Sequence, residues 1–99
     1  MGRLLELDAP PTAVFAANDH MALGTLEALK RAGRRAAVEG FDGIPEAEEA
    51  GLTTVRQPLA DMARRAGETL RRWLETGRTP ERKTTRLSGE LVVRESTGV

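Results

Sequence analysis

The sequence predicts an α/β fold in which a mostly parallel sheet is flanked by helices. Short apolar runs of strand length alternate along the chain with segments whose apolar residues recur at helical spacing. The predicted order is strand, helix, strand, short helix, strand, helix and strand, which is typical of a parallel sheet connected by helices. With 99 residues, 39% of them hydrophobic and 30% charged, the chain has the length and composition of one small globular domain.

The first predicted strand covers residues 13–17, an unbroken apolar run that follows two prolines. A run of this kind suits a strand that is buried on both faces. Asn18 or Asp19 then caps a helix by accepting a free backbone N–H, and Gly33 ends that helix in the left-handed conformation. The apolar residues of this helix recur at helical spacing: Ala22, Leu23, Leu26 and Leu29.

A second strand is predicted at 36–41, where apolar residues surround a single glutamate. An Asp-Gly pair at 42–43 makes the following turn, and a proline at position 45 opens a short helix that Gly51 closes. Residues 52–55 include the β-branched side chains that favour a third strand.

The strongest helical pattern begins at Pro58, a residue type favoured in the first turn of a helix, and ends at Gly77. One face of this helix is apolar, and it consists of Leu59, Met62, Ala63, Ala66, Leu70, Trp73 and Leu74. The polar stretch at 78–86 predicts an exposed loop. A last strand is predicted at 87–94, around an apolar centre.

The charge of the chain argues against a free-standing nucleic-acid-binding protein. Fifteen Lys and Arg balance fifteen Asp and Glu, so the net charge gives no attraction to phosphates or to an anionic membrane. Five basic and nine acidic residues lie in 1–50, and ten basic and six acidic residues lie in 51–99. The sequence contains no cysteine, no export signal and no apolar run of about 20 residues. We therefore expect a cytoplasmic protein that does not bind a membrane.

The sequence contains no recognised catalytic, metal or cofactor motif. His20 is the only histidine, there is no cysteine or tyrosine, and the phosphate-loop, dinucleotide and nucleophile-elbow motifs do not occur. One histidine with scattered carboxylates offers no ligand set for a metal ion. Asp19 lies beside His20, but neighbours on a helix point about 100° apart. We therefore expect that the protein is not an enzyme. A small hydrolase or transferase that uses Asp19 and His20 is kept as an alternative hypothesis.

Polar side chains follow three of the predicted strands, at the points where those strands end. Asn18 follows the first strand, Asp42 the second and Gln57 the third. In an open parallel sheet, ligands bind at the carboxyl ends of the strands, where the loops meet. One carboxylate and two amides suit a neutral polar ligand, polyhydroxylated or heterocyclic, better than a phosphate. The alternative is that Asn18 only caps a helix and Asp42 only makes a turn.

Several ordered motifs resemble those of a known family. They are PTAVF at 11–15, AANDHMALG at 16–24, VEGFD at 38–42, LTTVRQP at 52–58 and ELVVREST at 90–97. Over residues 4–97 the chain resembles the C-terminal part of a lactose/galactose repressor (LacI/GalR) family transcription regulator. The resemblance implies part of a periplasmic-binding-protein-like (type I) domain. In the family this domain has two α/β lobes joined by three crossover strands, a small-molecule effector in the cleft, and dimer contacts in both lobes.

The resemblance also assigns roles to particular residues. The positions that face the effector are matched by Asn18, Asp42 and Gln57. Positions in the dimer interface are matched by Leu23, Leu26 and Ile44. The helix at 59–76 would lie in the N-terminal lobe and the last strand in the C-terminal lobe. Residues 1–99 are thus interpreted as a truncated, C-terminal fragment of an effector-binding and dimerisation domain, without a DNA-binding headpiece.

The predicted function is that of a module in transcriptional control that dimerises and binds a small-molecule effector, a sugar or a purine-like compound. We expect a homo-oligomer and no direct contact with DNA by this chain alone. The alternative is a truncated remnant that binds nothing and folds through self-association. The apolar faces that another copy would cover are two: Leu23, Leu26 and Leu29, or Leu70, Trp73 and Leu74.

Overall fold

The fold is that of a computed structural model, which describes residues 1–98. Its elements are α1 (Gly2–Leu5), β1 (Ala13–Phe15), α2 (Asp19–Arg31), β2 (Ala37–Asp42), α3 (Pro45–Glu49), β3 (Thr53–Arg56), α4 (Leu59–Thr76), β4 (Glu90–Val92) and a closing 3-10 turn (Glu95–Thr97). The chain divides into two compact units. The first unit contains residues 1–57 and the segment that begins at residue 90, and the second contains residues 58–89.

The first unit is built on a four-stranded sheet with the order β1-β2-β3-β4. The strands β1, β2 and β3 are parallel neighbours, and β4 runs antiparallel to β3. The predicted α/β fold with a mostly parallel sheet is therefore confirmed. Because neighbouring parallel strands end at the same side of a sheet, the residues that follow β1, β2 and β3 share one edge, called here the carboxyl edge.

The bounds of α2 follow from the residues at its two ends. Asn18 has an extended backbone, and its Oδ1 accepts a hydrogen bond of 2.9 Å from the backbone N–H of Met21, which is the usual N-cap contact. Gly33 lies just beyond the helix with φ +62°, a conformation that strains other residues. Of the two residues predicted to cap this helix, Asn18 is the one that does so.

Three details of the predicted strands are wrong. β1 ends at Phe15 rather than at residue 17, because the chain bends at Ala17 before the cap of α2. β4 covers Glu90–Val92 rather than 87–94. The expectation that the first strand is buried on both faces also fails, since Phe15 is 64% exposed. The short helix α1 was not indicated by the sequence pattern.

The core of the first unit lies on one face of the sheet. Its buried apolar residues are Ala16, Ala22, Leu29, Val38, Ala47 and Leu52. The alternation along β2 places Gly40 on the same face as Val38. The helix α2 comes so close at this point that a Cβ on Gly40 would lie 2.3 Å from Oδ1 of Asp19. The glycine therefore permits the start of α2 to pack directly on β2.

The closing turn joins β2 and β3 at the amino ends of these strands. The hydroxyl of Ser96 donates a 2.6 Å hydrogen bond to the carbonyl of Val38 and accepts a 2.8 Å bond from the N–H of Thr53. The guanidinium of Arg94 donates to the carbonyl of Leu52 at 2.8 Å. The last described residues are thus held to the sheet by specific polar contacts.

The second unit consists of α4 and the polar segment that follows it. The helix ends at Gly77, which has φ +67°. Its apolar face is exposed, with Leu59 at 59% and Leu74 at 77%. Its polar face carries ion pairs within the helix: Asp61 with Arg64 and Arg65, Arg64 with Glu68, and Arg71 with Glu75. Since most of the stability of a helix in a protein comes from packing of its apolar face, these pairs support a helix whose apolar face has little cover.

Candidate functional site

The carboxyl edge of the sheet brings the predicted ligand-binding residues to one side of the first unit. Asn18 lies between β1 and α2, Asp42 is the last residue of β2, and Gln57 directly follows β3. Each of the three is half-buried. The strands that carry them are consecutive neighbours in the sheet, so the three residues share the carboxyl edge, and their role in ligand binding stays a prediction.

Asp42 and Gln57 contact each other directly. Nε2 of Gln57 donates a 2.6 Å hydrogen bond to Oδ1 of Asp42, and the backbone N–H of Gln57 donates to the carbonyl of Asp42 at 3.1 Å. A carboxylate that accepts from an amide is held in a definite orientation without being neutralised. The second carboxylate oxygen of Asp42 and Oε1 of Gln57 are left as acceptors, since neither has a hydrogen-bond partner within residues 1–98.

Asp42 also has an unusual backbone conformation. Its φ is +134°, and it is the only non-glycine residue with a positive φ in the described part of the chain. Such a conformation costs on the order of 1–3 kcal/mol, and strained residues of this kind cluster at ligand sites. The strain is thus located at the residue whose carboxylate accepts the hydrogen bond from Gln57.

Asn18 contributes a donor rather than an acceptor. Its Oδ1 is occupied by the N-cap bond to Met21, which leaves the two hydrogens of Nδ2 for a ligand. No hydrogen bond joins Asn18 to Asp42 or Gln57 within the described chain. The site therefore offers donors from the amides of Asn18 and Gln57 together with two acceptors, and a group that both donates and accepts, such as a hydroxyl, matches this combination.

Asp19 has a structural role that the sequence pattern did not reveal. Its side chain is fully buried, with 0% exposure. Oδ2 accepts hydrogen bonds from the backbone N–H groups of Gly43 at 2.8 Å and Ile44 at 2.9 Å, and Oδ1 accepts from the hydroxyl of Thr54 at 2.6 Å. His20, by contrast, is exposed. The two neighbours thus face different surroundings and do not form a pair.

The residues predicted for a dimer interface lie near the core of the first unit. Leu23 and Leu26 are on α2, and Ile44 immediately precedes α3. All three are half-buried and pack against the core residues. Their role in dimerisation stays a prediction.

Other kinds of site find no support in the described residues. No group of three or more His, Asp or Glu side chains in residues 1–98 is placed to hold a metal ion. No helix in this part of the chain is both long and apolar enough to cross a membrane. A cavity of about 500 Å³ is present at the opposite end of the strands, where it is lined by residues that include Thr12, Arg35 and Thr97. Asn18, Asp42 and Gln57 do not line that cavity.

Known proteins match the chain over most of its length. Residues 2–97 match the family model of the periplasmic binding protein-like domain. The HTH-type transcriptional regulator GalS of Salmonella typhimurium is 50% identical over 74 residues, which are 69% of this chain and 21% of GalS. The HTH-type transcriptional repressor PurR of Mannheimia succiniciproducens is 38% identical over 104 residues, 97% of this chain and 30% of PurR. The chain thus spans about a fifth to a third of the length of these relatives.

Solved structures give the same result. A probable transcription regulator from Thermus thermophilus has a TM-score of 0.81 and 44% identity, covering 98% of this chain and 39% of its own. A LacI family regulator from Enterococcus faecium with bound ribose has a TM-score of 0.78 and 30% identity, covering 96% and 36%. A dimeric Lac repressor has a TM-score of 0.84 and 28% identity, covering 97% and 37%. The chain belongs to the periplasmic binding protein-like domain family and is a LacI/GalR-type member of it.

Proposed function

We propose that this chain acts as the effector-binding and dimerisation module of a LacI/GalR-type transcription regulator, and that its effector is a sugar. The observation that carries the proposal is the 2.6 Å hydrogen bond between Gln57 and Asp42 at the carboxyl edge. It holds two polar side chains from adjacent strands in fixed positions, which reduces the entropy that a ligand has to overcome on binding.

The chemistry of the free groups supports a polyhydroxylated ligand. A sugar hydroxyl can donate to the free oxygen of Asp42 or Gln57 and accept from Nδ2 of Asn18. A phosphate would face the carboxylate of Asp42 without a cation supplied by these three residues, and like charges repel. The bound ribose of the Enterococcus faecium regulator agrees with a sugar, whereas the relative PurR makes a purine-like compound the second ligand class to test.

The remaining parts of the proposal follow from the same family. The dimeric Lac repressor supports dimerisation, for which Leu23, Leu26 and Ile44 are the proposed contacts. The relatives named above are described as transcription regulators and not as enzymes, and we propose that this chain likewise catalyses no reaction. We place it in the cytoplasm, where such a regulator meets DNA, with the DNA contact made outside these residues.

A ligand screen tests this proposal. Thermal unfolding is measured with ribose, galactose, sucrose or hypoxanthine, and binding is then quantified by calorimetry. A ligand present at 100 times its Kd should add about 2.7 kcal/mol of apparent stability. Asp42→Ala should abolish the shift, while Asp8→Ala, which changes an exposed aspartate of the segment between α1 and β1, should retain it.

Two results would contradict the proposal. The first is the absence of any shift with all four ligands at about 10 mM, a concentration that detects even weak binding through mass action. The second is a shift that persists unchanged in Asp42→Ala, because the ligand would then bind elsewhere.

A second candidate is a protein that binds no ligand and folds through self-association. The exposure of Leu74 at 77% and Phe15 at 64% favours it, since exposed apolar residues of this size often mark interfaces. Analytical ultracentrifugation distinguishes the two candidates when combined with the ligand screen. Self-association without any ligand-induced shift supports this second function, and a monomer at high concentration excludes it.

A further inference from the structure

Asp19 is a buried charge with an unusually complete set of partners. A carboxylate with 0% exposure is strongly disfavoured unless hydrogen bonds replace its lost hydration. Three donors converge on it, from Gly43, Ile44 and Thr54. Because the side chain is inaccessible, it cannot itself contact an effector, and any influence on binding has to pass through the groups that it holds.

Those groups are adjacent to the proposed ligand-binding residues. Asn18 directly precedes Asp19 in the chain, and the two backbone donors belong to the residues that directly follow Asp42. The hydroxyl donor is on β3, the strand that ends just before Gln57. One buried carboxylate therefore links the three segments that carry the proposed site.

The loop after β2 requires such a link. Asp42 has φ +134° and Gly43 has φ +80°, so two successive residues are in a region that most side chains avoid. The loop is also pressed against β3, since a Cβ on Gly43 would lie 2.7 Å from the Cα of Arg56. The two hydrogen bonds from the loop to Oδ2 of Asp19 act against relaxation of this strained backbone.

We propose that Asp19 is a positioning residue that fixes the loop after β2 and thereby holds Asp42 and Gln57 in the arrangement that receives the effector. The inference rests on the proposed function, because it assigns Asp19 to the same site. It differs from a general role in stability, since it requires the hydrogen bond between Gln57 and Asp42 to depend on Asp19 while other buried hydrogen bonds do not affect it.

The test compares three variants of the full chain. Asp19→Asn keeps the size of the side chain. When the amide oxygen keeps the bond to the hydroxyl of Thr54, the NH2 group is turned towards the backbone N–H groups of Gly43 and Ile44, which are also donors. Thr54→Val removes one donor and leaves the carboxylate in place. Thr53→Val is the matched control, because Thr53 is also a buried threonine of β3 but binds the closing segment through Arg94 and not Asp19.

Two readouts are measured at a temperature at which all variants are folded. The first is ligand-free: amide hydrogen exchange of Gly43 and Ile44, together with the NMR signal of the side-chain amide of Gln57. We expect exchange at least tenfold faster in Asp19→Asn and an averaged Gln57 signal, with intermediate effects in Thr54→Val and none in Thr53→Val. The second is the Kd of the effector, which should rise at least tenfold in Asp19→Asn and stay within twofold in Thr53→Val.

The possible outcomes separate the two proposals. If Asp19→Asn is folded and keeps both the Gln57 signal and the wild-type Kd, the positioning role is overturned while the effector site stands. If Asp19→Asn does not fold, the same comparison between Thr54→Val and Thr53→Val decides the matter. If no ligand binds the wild type, the proposed function fails and the role of Asp19 in effector binding fails with it, while the loop exchange and the Gln57 signal still show whether Asp19 fixes the loop after β2.

Discussion

The strained backbone of Asp42 leads to a prediction in which two variants that both lose binding differ in stability. Asp42→Ala and Asp42→Gly both remove the bond to Gln57, but only glycine adopts φ +134° without strain. Release of the strain should favour the glycine variant by about 1–3 kcal/mol, less about 0.4–1 kcal/mol for the greater entropy of its unfolded chain. We expect the glycine variant to be more stable than the alanine variant by about 1 kcal/mol, although neither binds the effector.

Urea unfolding followed by far-ultraviolet circular dichroism measures this difference. In a thermal melt of the same two variants, a difference of about 1 kcal/mol corresponds to roughly 4–8 °C in Tm for a domain of this size. Asp8→Ala and Asp8→Gly form the matched pair, because Asp8 is exposed and lacks a positive φ, so glycine should be the less stable variant there. If alanine is at least as stable as glycine at position 42 after this correction, the strain does not exist and the reasoning about the site is refuted.

Three further predictions concern the packing and electrostatics of the chain. Gly40→Ala should destabilise the fold by more than about 2 kcal/mol, because it overpacks a contact in the core. Gly24→Ala is the control and should be neutral or stabilising, because there is open space around Gly24. Thermal melts of both variants check this. Ser96→Ala should cost about 1–3 kcal/mol in urea unfolding, because it leaves two backbone groups of β2 and β3 without their partner, and a loss below the error of the measurement would contradict it. Hydrogen bonding from Arg64 lowers the pKa of Asp61. This contact therefore supports α4 above the unfolded-state pKa, and its support is lost as the pH falls through the folded-state pKa. Helicity followed by circular dichroism should decrease on acidification, and Asp61→Asn should remove that component of the decrease.

The sequence predicted the helix ends correctly where a residue at the end itself determines the conformation. The cap at Asn18 and the stops at Gly33 and Gly77 depend on neighbouring residues alone. The short helix α1 and the true end of β1 were missed, because a few residues carry too little periodicity to define an element.

The proposed site was predictable in position but not in its internal contacts. The rule for the carboxyl ends of parallel strands placed Asn18, Asp42 and Gln57 at one edge. The link from Asp19 to Thr54 joins residues 35 positions apart, and no pattern of spacing or composition specifies such a contact. The positive φ of Asp42 was hidden for a related reason, since a turn with aspartate before glycine is compatible with several backbone conformations.

The hydroxyl of Ser96 has a consequence for how the protein is made. Its bond to β2 closes a loop of 58 residues, and loops of this length make the formation of a native topology slower. During synthesis, β1, β2 and β3 leave the ribosome before Ser96, whose hydroxyl adds a bond to each of β2 and β3. The nascent sheet therefore stays incomplete at the amino ends of these two strands until Ser96 has left the ribosome.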